Sequence, residues 1–120
     1  MASILIVDDE RDNRELLDII LVREGFRVLT AGSGEEALAS VAVEQPDLIL
    51  LDLMMPDMTG YDVMAKIKSN PSTTAIRIVI LTALCDDATR VRALMAGAED
   101  LVTKPISHVE LCARVATLLH

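Results

Sequence analysis

The chain has 120 residues, which is enough for one domain of ordinary size and too few for two domains with separate cores. Apolar residues make up 52% of the chain and aromatic residues only 2%, so we expect a folded protein with an aliphatic core. With 11 basic and 19 acidic side chains, the net charge is −8. A domain this acidic repels phosphate backbones, and we therefore expect no direct contact with nucleic acid.

Two further features bear on the cellular compartment. The chain does not open with a basic segment followed by an apolar one, and its apolar runs are much shorter than the about 20 residues of a membrane-spanning helix. Cys85 and Cys112 lie far apart without a Cys-x-x-Cys motif, so we expect two packed thiols rather than a disulfide or a zinc site. His108 and His120 are expected at the surface. These features predict a cytoplasmic protein without a membrane segment.

The first part of the chain alternates strands and helices. Residues 3–7 form an apolar run that predicts a buried strand, and the apolar spacing after it predicts a helix that ends at Gly25. Residues 26–31 are predicted as a second strand. Ser33 and the glutamate three residues after it have the spacing of a capping box, which begins a helix that Pro46 ends.

The same alternation continues to the end of the chain. Three more short apolar strands are predicted, over residues 47–51, 76–81 and 100–103. Turn residues at 55–60 precede a helix marked by Val63, Met64 and Ile67. Two further helices are predicted, one over residues 86–96 and one that begins at Ser107.

Alternating strands and helices predict an α/β fold in which helices cover both faces of a parallel sheet. Right-handed crossovers leave few arrangements of five strands. A flavodoxin-like, doubly wound (βα)5 fold with strand order 2-1-3-4-5 is favoured for a chain of this length. Functional groups in such sheets gather beyond the carboxyl ends of the strands, where the first and third strands meet.

Polar residues stand at four of these strand ends. Asp8 and Asp9 follow the first strand, Asp52 the third, Thr82 the fourth and Lys104 the fifth. Adjacent carboxylates repel one another unless a cation offsets their charge, and a site of oxygen ligands alone suits Mg²⁺. A carboxylate that faces a metal ion, a lysine and a hydroxyl is well placed to attack a phosphoryl group. Each residue alone is an ordinary turn or surface group, so the inference depends on their coincidence.

Four segments carry this predicted chemistry: Ile-Val-Asp8-Asp9-Glu, Leu-Asp52-Leu-Met-Met-Pro56-Asp-Met-Thr-Gly60, Leu-Thr82-Ala83 and Gly97-Ala-Glu-Asp-Leu-Val-Thr-Lys104-Pro105. In this order and spacing they resemble the receiver domain of two-component response regulators, over essentially the whole chain. The resemblance implies a single receiver domain over residues 1–120. Such a domain takes a phosphoryl group from a sensor histidine kinase and controls an output domain or a downstream protein.

The resemblance also implies a role for each acidic residue. Asp52 resembles the phosphoacceptor aspartate of the family, which forms an acyl phosphate. Asp8 and Asp9 are similar to the acidic pair that holds Mg²⁺, with Asp9 as the direct ligand and Asp8 acting through water. Met54 would supply only its backbone carbonyl to the metal ion.

The resemblance implies that the remaining groups contact the phosphoryl group once Asp52 is phosphorylated. Lys104 would pair with a phosphoryl oxygen, Thr82 would move its hydroxyl onto the phosphate, and the small Ala83 would leave space beside it. The peptide bond between Lys104 and Pro105 is often cis in this family. Three residues before the lysine the family usually has Tyr or Phe, whereas this chain has Leu101, so the aromatic part of the usual switch is missing.

Phosphorylation-dependent dimerisation is a further expectation. Arg90, Glu110 and Arg114 fall where DNA-binding receivers often place ion pairs between the fourth helix, the fifth strand and the fifth helix of two copies. Glu110 and Arg114 are also four residues apart on one predicted helix, so they can simply pair with each other.

Three other functions fit these residues less well. A Mg²⁺-dependent aspartate-nucleophile phosphatase needs a second acid two residues after its nucleophile, where this chain has Met54. A flavodoxin-like FMN carrier would want hydroxyls and glycines in place of Asp8 and Asp9, and aromatic residues against the flavin. A pseudo-receiver that only binds partners would not need the complete acceptor set. We therefore expect no enzyme beyond self-catalysed phosphotransfer and slow self-dephosphorylation.

Overall fold

The structure is a computed structural model that describes residues 1–84 and 86–119. Cys85 and His120, for which the sequence predicted a packed thiol and a surface position, lie outside the described residues. Cys112 is half-buried and His108 is exposed. The first helix, α1, spans Arg11–Arg23. No helix in the described part of the chain has the length and hydrophobicity needed to cross a bilayer.

Five strands and five helices alternate along the described residues. The strands are β1 (Ser3–Val7), β2 (Arg27–Ala31), β3 (Leu48–Asp52), β4 (Arg77–Thr82) and β5 (Asp100–Thr103). The helices after α1 are α2 (Gly34–Val43), α3 (Gly60–Ser69), α4 (Asp87–Met95) and α5 (His108–Leu118). The predicted strands are confirmed, and where their ends differ they do so by a single residue.

The strands form one parallel sheet with the order β2-β1-β3-β4-β5, which confirms the predicted topology. Asp52 at the end of β3 is paired in register with Leu81, and Thr82 at the end of β4 with Thr103. The carboxyl ends of β1, β3, β4 and β5 therefore lie side by side along one edge of the sheet. The first and third strands are neighbours, as the predicted switch point requires.

Two apolar clusters cover the two faces of the sheet. One contains buried residues of α2, α3 and α4, such as Val41, Val63 and Ala93. The other contains buried residues of α1 and α5, such as Leu17 and Leu111. Because both faces are buried, the central strands are continuous apolar runs rather than alternating ones, and β1 and β3 are buried throughout.

Polar side chains begin four of the helices. Ser33, Thr59, Asp86 and Ser107 each accept a hydrogen bond from the backbone N–H three residues later. The predicted box at Ser33 is only half formed, because the carboxylate of Glu36 accepts from the N–H of Gly32, at 2.8 Å, and not from that of Ser33. The complete capping box lies at the start of α3, where Thr59 and Asp62 bond each other's backbone N–H groups.

Candidate functional site

Three carboxylates meet at the carboxyl edge of the sheet. Asp8 and Asp9 follow β1, and Asp52 is the last residue of β3. Each offers one oxygen, and these oxygens lie within 4.8 Å of one another. Asp8 is completely buried, Asp52 is 6% exposed and Asp9 is exposed. Oxygen ligands, close spacing and one exposed member together fit a small divalent cation that retains some of its water, such as Mg²⁺.

The buried carboxylate of Asp8 accepts hydrogen bonds on both of its oxygens. Its Oδ1 accepts from the backbone N–H of Glu10, at 2.9 Å. Its Oδ2 accepts from Lys104 Nζ, at 3.2 Å, and from Asn13 Nδ2, at 3.4 Å. The backbone oxygen of Asp8 accepts from Arg14 Nη1, at 2.7 Å. A buried charge is costly unless it is paired and hydrogen-bonded, and these donors meet that requirement.

Lys104 connects the two buried carboxylates of the site. Besides the contact with Asp8, its Nζ lies 3.4 Å from Oδ2 of Asp52. Burial lowers the pKa of Lys104, but the charges of Asp52 and Asp8 and their hydrogen bonds outweigh burial, so this pKa is raised overall. The ammonium group therefore carries its charge at neutral pH, directly beside the carboxylate of Asp52.

The carboxylate of Asp52 is poorly solvated. Burial raises its pKa, and the charge of Asp8 acts in the same direction. Lys104 and the N–H of Met54 lower the pKa, but the net direction is upward. An anion that is disfavoured by its surroundings is stabilised when a cation approaches it. The electrostatics of this position thus favour metal binding as well as the ion pair already present.

The loop after β3 turns its backbone toward Asp52. The N–H of Met54 donates to Oδ1 of Asp52, at 3.3 Å, while Met54 as a residue is 63% exposed. The contact of Met54 with Asp52 is therefore made by its backbone.

The ends of β4 and β5 complete the edge. The hydroxyl of Thr82, a buried residue, accepts a hydrogen bond from the N–H of Leu84, at 3.0 Å. The backbone N–H of Lys104 donates to the carbonyl of Thr82, at 2.7 Å, which joins the two strand ends. Ala83 is exposed, and the peptide bond between Lys104 and Pro105 is cis. All the residues predicted for phosphate binding therefore lie along the same edge as the carboxylates.

Leu101 lies in β5 and is only 1% exposed. It belongs to the apolar cluster on the face covered by α2, α3 and α4. The single tyrosine of the chain stands elsewhere, at position 61 in the first turn of α3. The guanidinium carbon of Arg92 in α4 lies 3.9 Å from the centroid of the Tyr61 ring, which is the geometry of a cation–π contact.

The three residues predicted for a dimer face are on the surface or pair within the chain. Arg90 in α4 is exposed. Arg114 in α5 contacts Glu110, at 2.8 Å, and also Asp100, at 2.5 Å. The structure thus shows the pairing within one helix that the sequence offered as the alternative.

Three polar residues in or next to the site make contacts that the sequence did not predict: Asn13, Arg14 and Asp57. The first two contact Asp8 from α1. Asp57, in the loop after β3, bonds the start of α2. The pattern of apolar and polar residues does not indicate these contacts, because each one depends on a group that is close in space. For Asn13 and Arg14 a signal existed, since polar residues one turn into a helix can reach back to the strand before it.

Comparison with known proteins agrees with this geometry. Residues 4–116 match the response regulator receiver domain family. The response regulator PleD of Caulobacter vibrioides is 47% identical over 117 residues, which are 98% of this chain and 26% of PleD. The transcriptional regulatory protein AfsQ1 of Streptomyces coelicolor is 40% identical over 119 residues, which are 99% of this chain and 52% of AfsQ1. The chain thus spans about a quarter and about half of these relatives.

Solved structures give the same result. The signal receiver domain of a signal transduction histidine kinase from Syntrophus aciditrophicus is 37% identical, with a TM-score of 0.91 over 99% of this chain and 90% of that one. The chemotaxis protein CheY4 of Vibrio cholerae is 28% identical, with a TM-score of 0.93 over 98% of both chains. The matching sequence, the shared fold and the acidic cluster lead to one conclusion: this chain belongs to the response regulator receiver domain family of two-component signalling.

Proposed function

We propose that Asp52 is the phosphoacceptor of a single receiver domain over residues 1–120, and that a sensor histidine kinase is its phosphodonor. The observation that carries this proposal is the position of Asp52. Asp52 is 6% exposed, and its carboxylate lies beside Asp8 and Asp9 with the ammonium group of Lys104 at 3.4 Å. Few arrangements other than phosphoryl transfer need a nucleophilic carboxylate, a cation site and a fixed positive charge in one place.

The carboxylates of Asp8, Asp9 and Asp52 and the backbone carbonyl of Met54 would hold Mg²⁺. When bound, the ion supplies positive charge that offsets the charge on the phosphoryl oxygens. The poorly solvated Asp52 and the paired, buried Asp8 support this assignment, because both gain from a cation. The exposure of Asp9 supports a direct ligand that keeps contact with solvent.

In the transfer step, an oxygen of Asp52 attacks the phosphorus atom of phosphohistidine. The P–O bond forms as the P–N bond breaks, and the imidazole of the kinase keeps the electron pair and takes up a proton. Lys104 needs little movement to pair with a phosphoryl oxygen, since its Nζ already lies beside Asp52. Thr82 would exchange its contact with the N–H of Leu84 for one with the phosphate, and Ala83 offers no side chain that blocks this movement.

We expect slow loss of the phosphoryl group by hydrolysis and no other substrate. The side chain two residues after Asp52 is that of Met54, which cannot protonate a leaving group and points to solvent. A hydrolase of the aspartate-nucleophile type would need an acid at this position.

The partners and the output belong to the proposal as well. Relatives such as PleD and AfsQ1 are longer than this chain, so an output domain or a separate downstream protein would receive the signal. Dimerisation through Arg90, Glu110 and Arg114 would be one route. In this arrangement Arg114, which pairs with Asp100 and Glu110 within the chain, would also contact a second copy. Sedimentation with and without beryllofluoride tests this, and a monomer in both states would refute it.

The acceptor is tested by labelling with radioactive acetyl phosphate in the presence of Mg²⁺. Asp52→Asn should abolish the label, because an amide oxygen is too weak a nucleophile. Asp12→Asn is the matched control, since Asp12 is an exposed acid in the first turn of α1 and should label like the wild type. A label that persists in Asp52→Asn would refute the assignment, and a label that survives removal of Mg²⁺ by a chelator would refute the role of the metal ion.

A further inference from the structure

The loop that joins β3 to α3 is closed tightly at its base. The N–H of Gly60 donates to the carbonyl of Leu53, at 2.8 Å. A Cβ atom on Gly60 would lie 2.9 Å from the backbone oxygen of Asp52 and 3.0 Å from the Cα of Leu53, so only glycine permits this approach. Met54 lies within this loop, next to the base, and donates to Asp52 through its N–H. The loop therefore begins in direct contact with the proposed acceptor.

The far side of the same loop is attached to α2. Oδ1 of Asp57 accepts from the N–H of Gly34, at 3.1 Å, and Oδ2 accepts from the N–H of Glu35, at 3.0 Å. The next residue, Met58, packs so closely on Gly34 that a Cβ there would lie 2.2 Å from its Cγ. Both a polar and an apolar contact thus join the loop to the first turn of α2.

The hydrogen bonds that Asp57 accepts from two N–H groups stabilise the charged form of its carboxylate. They lower the pKa of Asp57, with the N–H of Glu35 as the larger cause and that of Gly34 as the second. The contact is therefore fully formed at neutral pH.

Ordinary helix capping does not account for the contact by itself. Helix α2 has a cap from its own sequence, because Ser33 accepts from the N–H of Glu36 at 3.1 Å. Asp57 comes from a different segment of the chain, and its bonds fix the distance between α2 and the loop. If they were removed, the loop would remain attached to its base at Gly60 but would lose its polar attachment to α2.

We propose that Asp57 is a positioning residue for the Mg²⁺ site, which it supports by holding the loop that carries Met54. The bonds to α2 keep the backbone of Met54 at a constant place relative to the carboxylate of Asp52. Without them, the carbonyl of Met54 is less ordered, and the ion loses part of its coordination. This inference rests on the proposed function, because it concerns the same metal site.

The experiment compares two variants that each remove hydrogen bonds from the first turn of α2. Asp57→Ala removes the bonds made by the loop, whereas Ser33→Ala removes the bond made within the helix. The Mg²⁺ dissociation constant is measured by calorimetric titration of the whole chain, and stability by urea denaturation. Asp57→Ala should weaken Mg²⁺ binding by about tenfold, as loss of a group that orients a metal ligand typically does. Ser33→Ala should leave Mg²⁺ binding within about twofold of the wild type, although the loss of the N-cap should lower the urea midpoint.

A third variant, Asp57→Asn, separates position from charge. Asn keeps one acceptor oxygen, so Mg²⁺ binding should recover part of the loss seen in Asp57→Ala. Equal weakening in Asp57→Asn and Asp57→Ala would show an effect of charge alone and would overturn the proposal. Weakening of the same size in Ser33→Ala would overturn it too, since damage to α2 would then be the cause.

Labelling with acetyl phosphate distinguishes this proposal from the one on which it rests. If the wild type acquires no label at Asp52, the proposed function fails. If the wild type is labelled and Asp57→Ala binds Mg²⁺ as the wild type does, only the positioning role of Asp57 fails.

Discussion

Lys104 Nζ lies 3.2 Å from Oδ2 of the completely buried Asp8, and the same ammonium group reaches Asp52 at 3.4 Å. One ammonium group thus offsets part of the charge of two of the carboxylates that would hold Mg²⁺. A bound Mg²⁺ ion and the ammonium group would therefore share one set of oxygens. Their competition leads to the first prediction.

Lys104→Met should make the protein less stable and the metal site stronger. Without the ammonium group, Asp8 and Asp52 keep their charges with fewer partners, and breaking such a buried pair costs about 3 kcal/mol. The Mg²⁺ affinity should rise about tenfold, because a positive charge only a few ångströms from the site is removed. Urea denaturation in a chelator and calorimetric titration with Mg²⁺ measure the two effects.

The control for Lys104→Met is Lys66→Met, which removes an exposed lysine from the last turn of α3. It should change neither quantity beyond a small amount. Unchanged or weaker Mg²⁺ binding in Lys104→Met would contradict the idea that the two cations compete.

Asp52→Asn should stabilise the fold at neutral pH when Mg²⁺ is absent. Burial raises the pKa of Asp52 above its ordinary value of 3.8, so the folded state takes up a proton here more readily than the unfolded state. Ionised Asp52 therefore opposes folding, and this cost grows as the pH rises from 3.8 through the folded pKa. The advantage of Asp52→Asn should disappear as the pH falls below 3.8, which urea denaturation over a pH series can measure.

Asp57→Asn should change the stability in the opposite direction to Asp52→Asn. Backbone N–H groups lower the pKa of Asp57, so its charge favours folding. This variant should be less stable than the wild type at neutral pH, and the difference should vanish as the pH falls through the folded pKa, below 3.8. If both variants shifted stability in the same direction across the series, burial would not explain the behaviour of Asp52.

Leu101→Tyr should destabilise the protein rather than restore an aromatic switch. Leu101 is enclosed in the apolar cluster between the sheet and the helices α2 to α4, and a larger ring with a hydroxyl does not fit that space without rearrangement. Overpacking of this kind costs about 1–3 kcal/mol in urea denaturation. Leu101→Met nearly conserves the volume and should cost less than about 1.5 kcal/mol. A fully stable Leu101→Tyr would mean that the pocket can open.

Tyr61 and Arg92 should show a measurable energetic coupling between α3 and α4. The guanidinium group stacks over the ring at 3.9 Å, and an exposed contact of this type contributes about 0.5–1 kcal/mol. A double-mutant cycle with Tyr61→Leu and Arg92→Ala measures it. Arg92→Lys keeps the charge but loses the flat guanidinium, so it should retain only part of the coupling. Additive effects of the two substitutions would show that the contact stabilises nothing.

Much of the fold could be predicted because its signals are local. The apolar runs that became β1 and β3 are buried on both faces, so they stand out without any knowledge of their neighbours. The strand order then followed from the alternation of strands and helices. Asp52 and Lys104 were placed together by that order, because both follow strands whose ends lie on one edge.

The contacts that were not predicted join groups through space. Nothing in the sequence around Asp57 indicates that its carboxylate reaches the start of α2. The bond between Lys104 and Asp8 also depends on side-chain rotamers that the order of strands does not determine. The capping box of Thr59 and Asp62 is different, because its three-residue spacing was visible and could have placed the start of α3 correctly.

The site draws its groups from two parts of the chain that meet along β3 and β4. All three carboxylates precede the segment between Ser69 and Arg77, while the hydroxyl of Thr82 and the ammonium group of Lys104 come after it. A single cut in that segment would leave one fragment with the acids and another with their partners. The fragment with the acids would lack the hydroxyl of Thr82 and the ammonium group of Lys104, and recovery of phosphorylation on mixing would report that the two pieces had reassembled across the centre of the sheet.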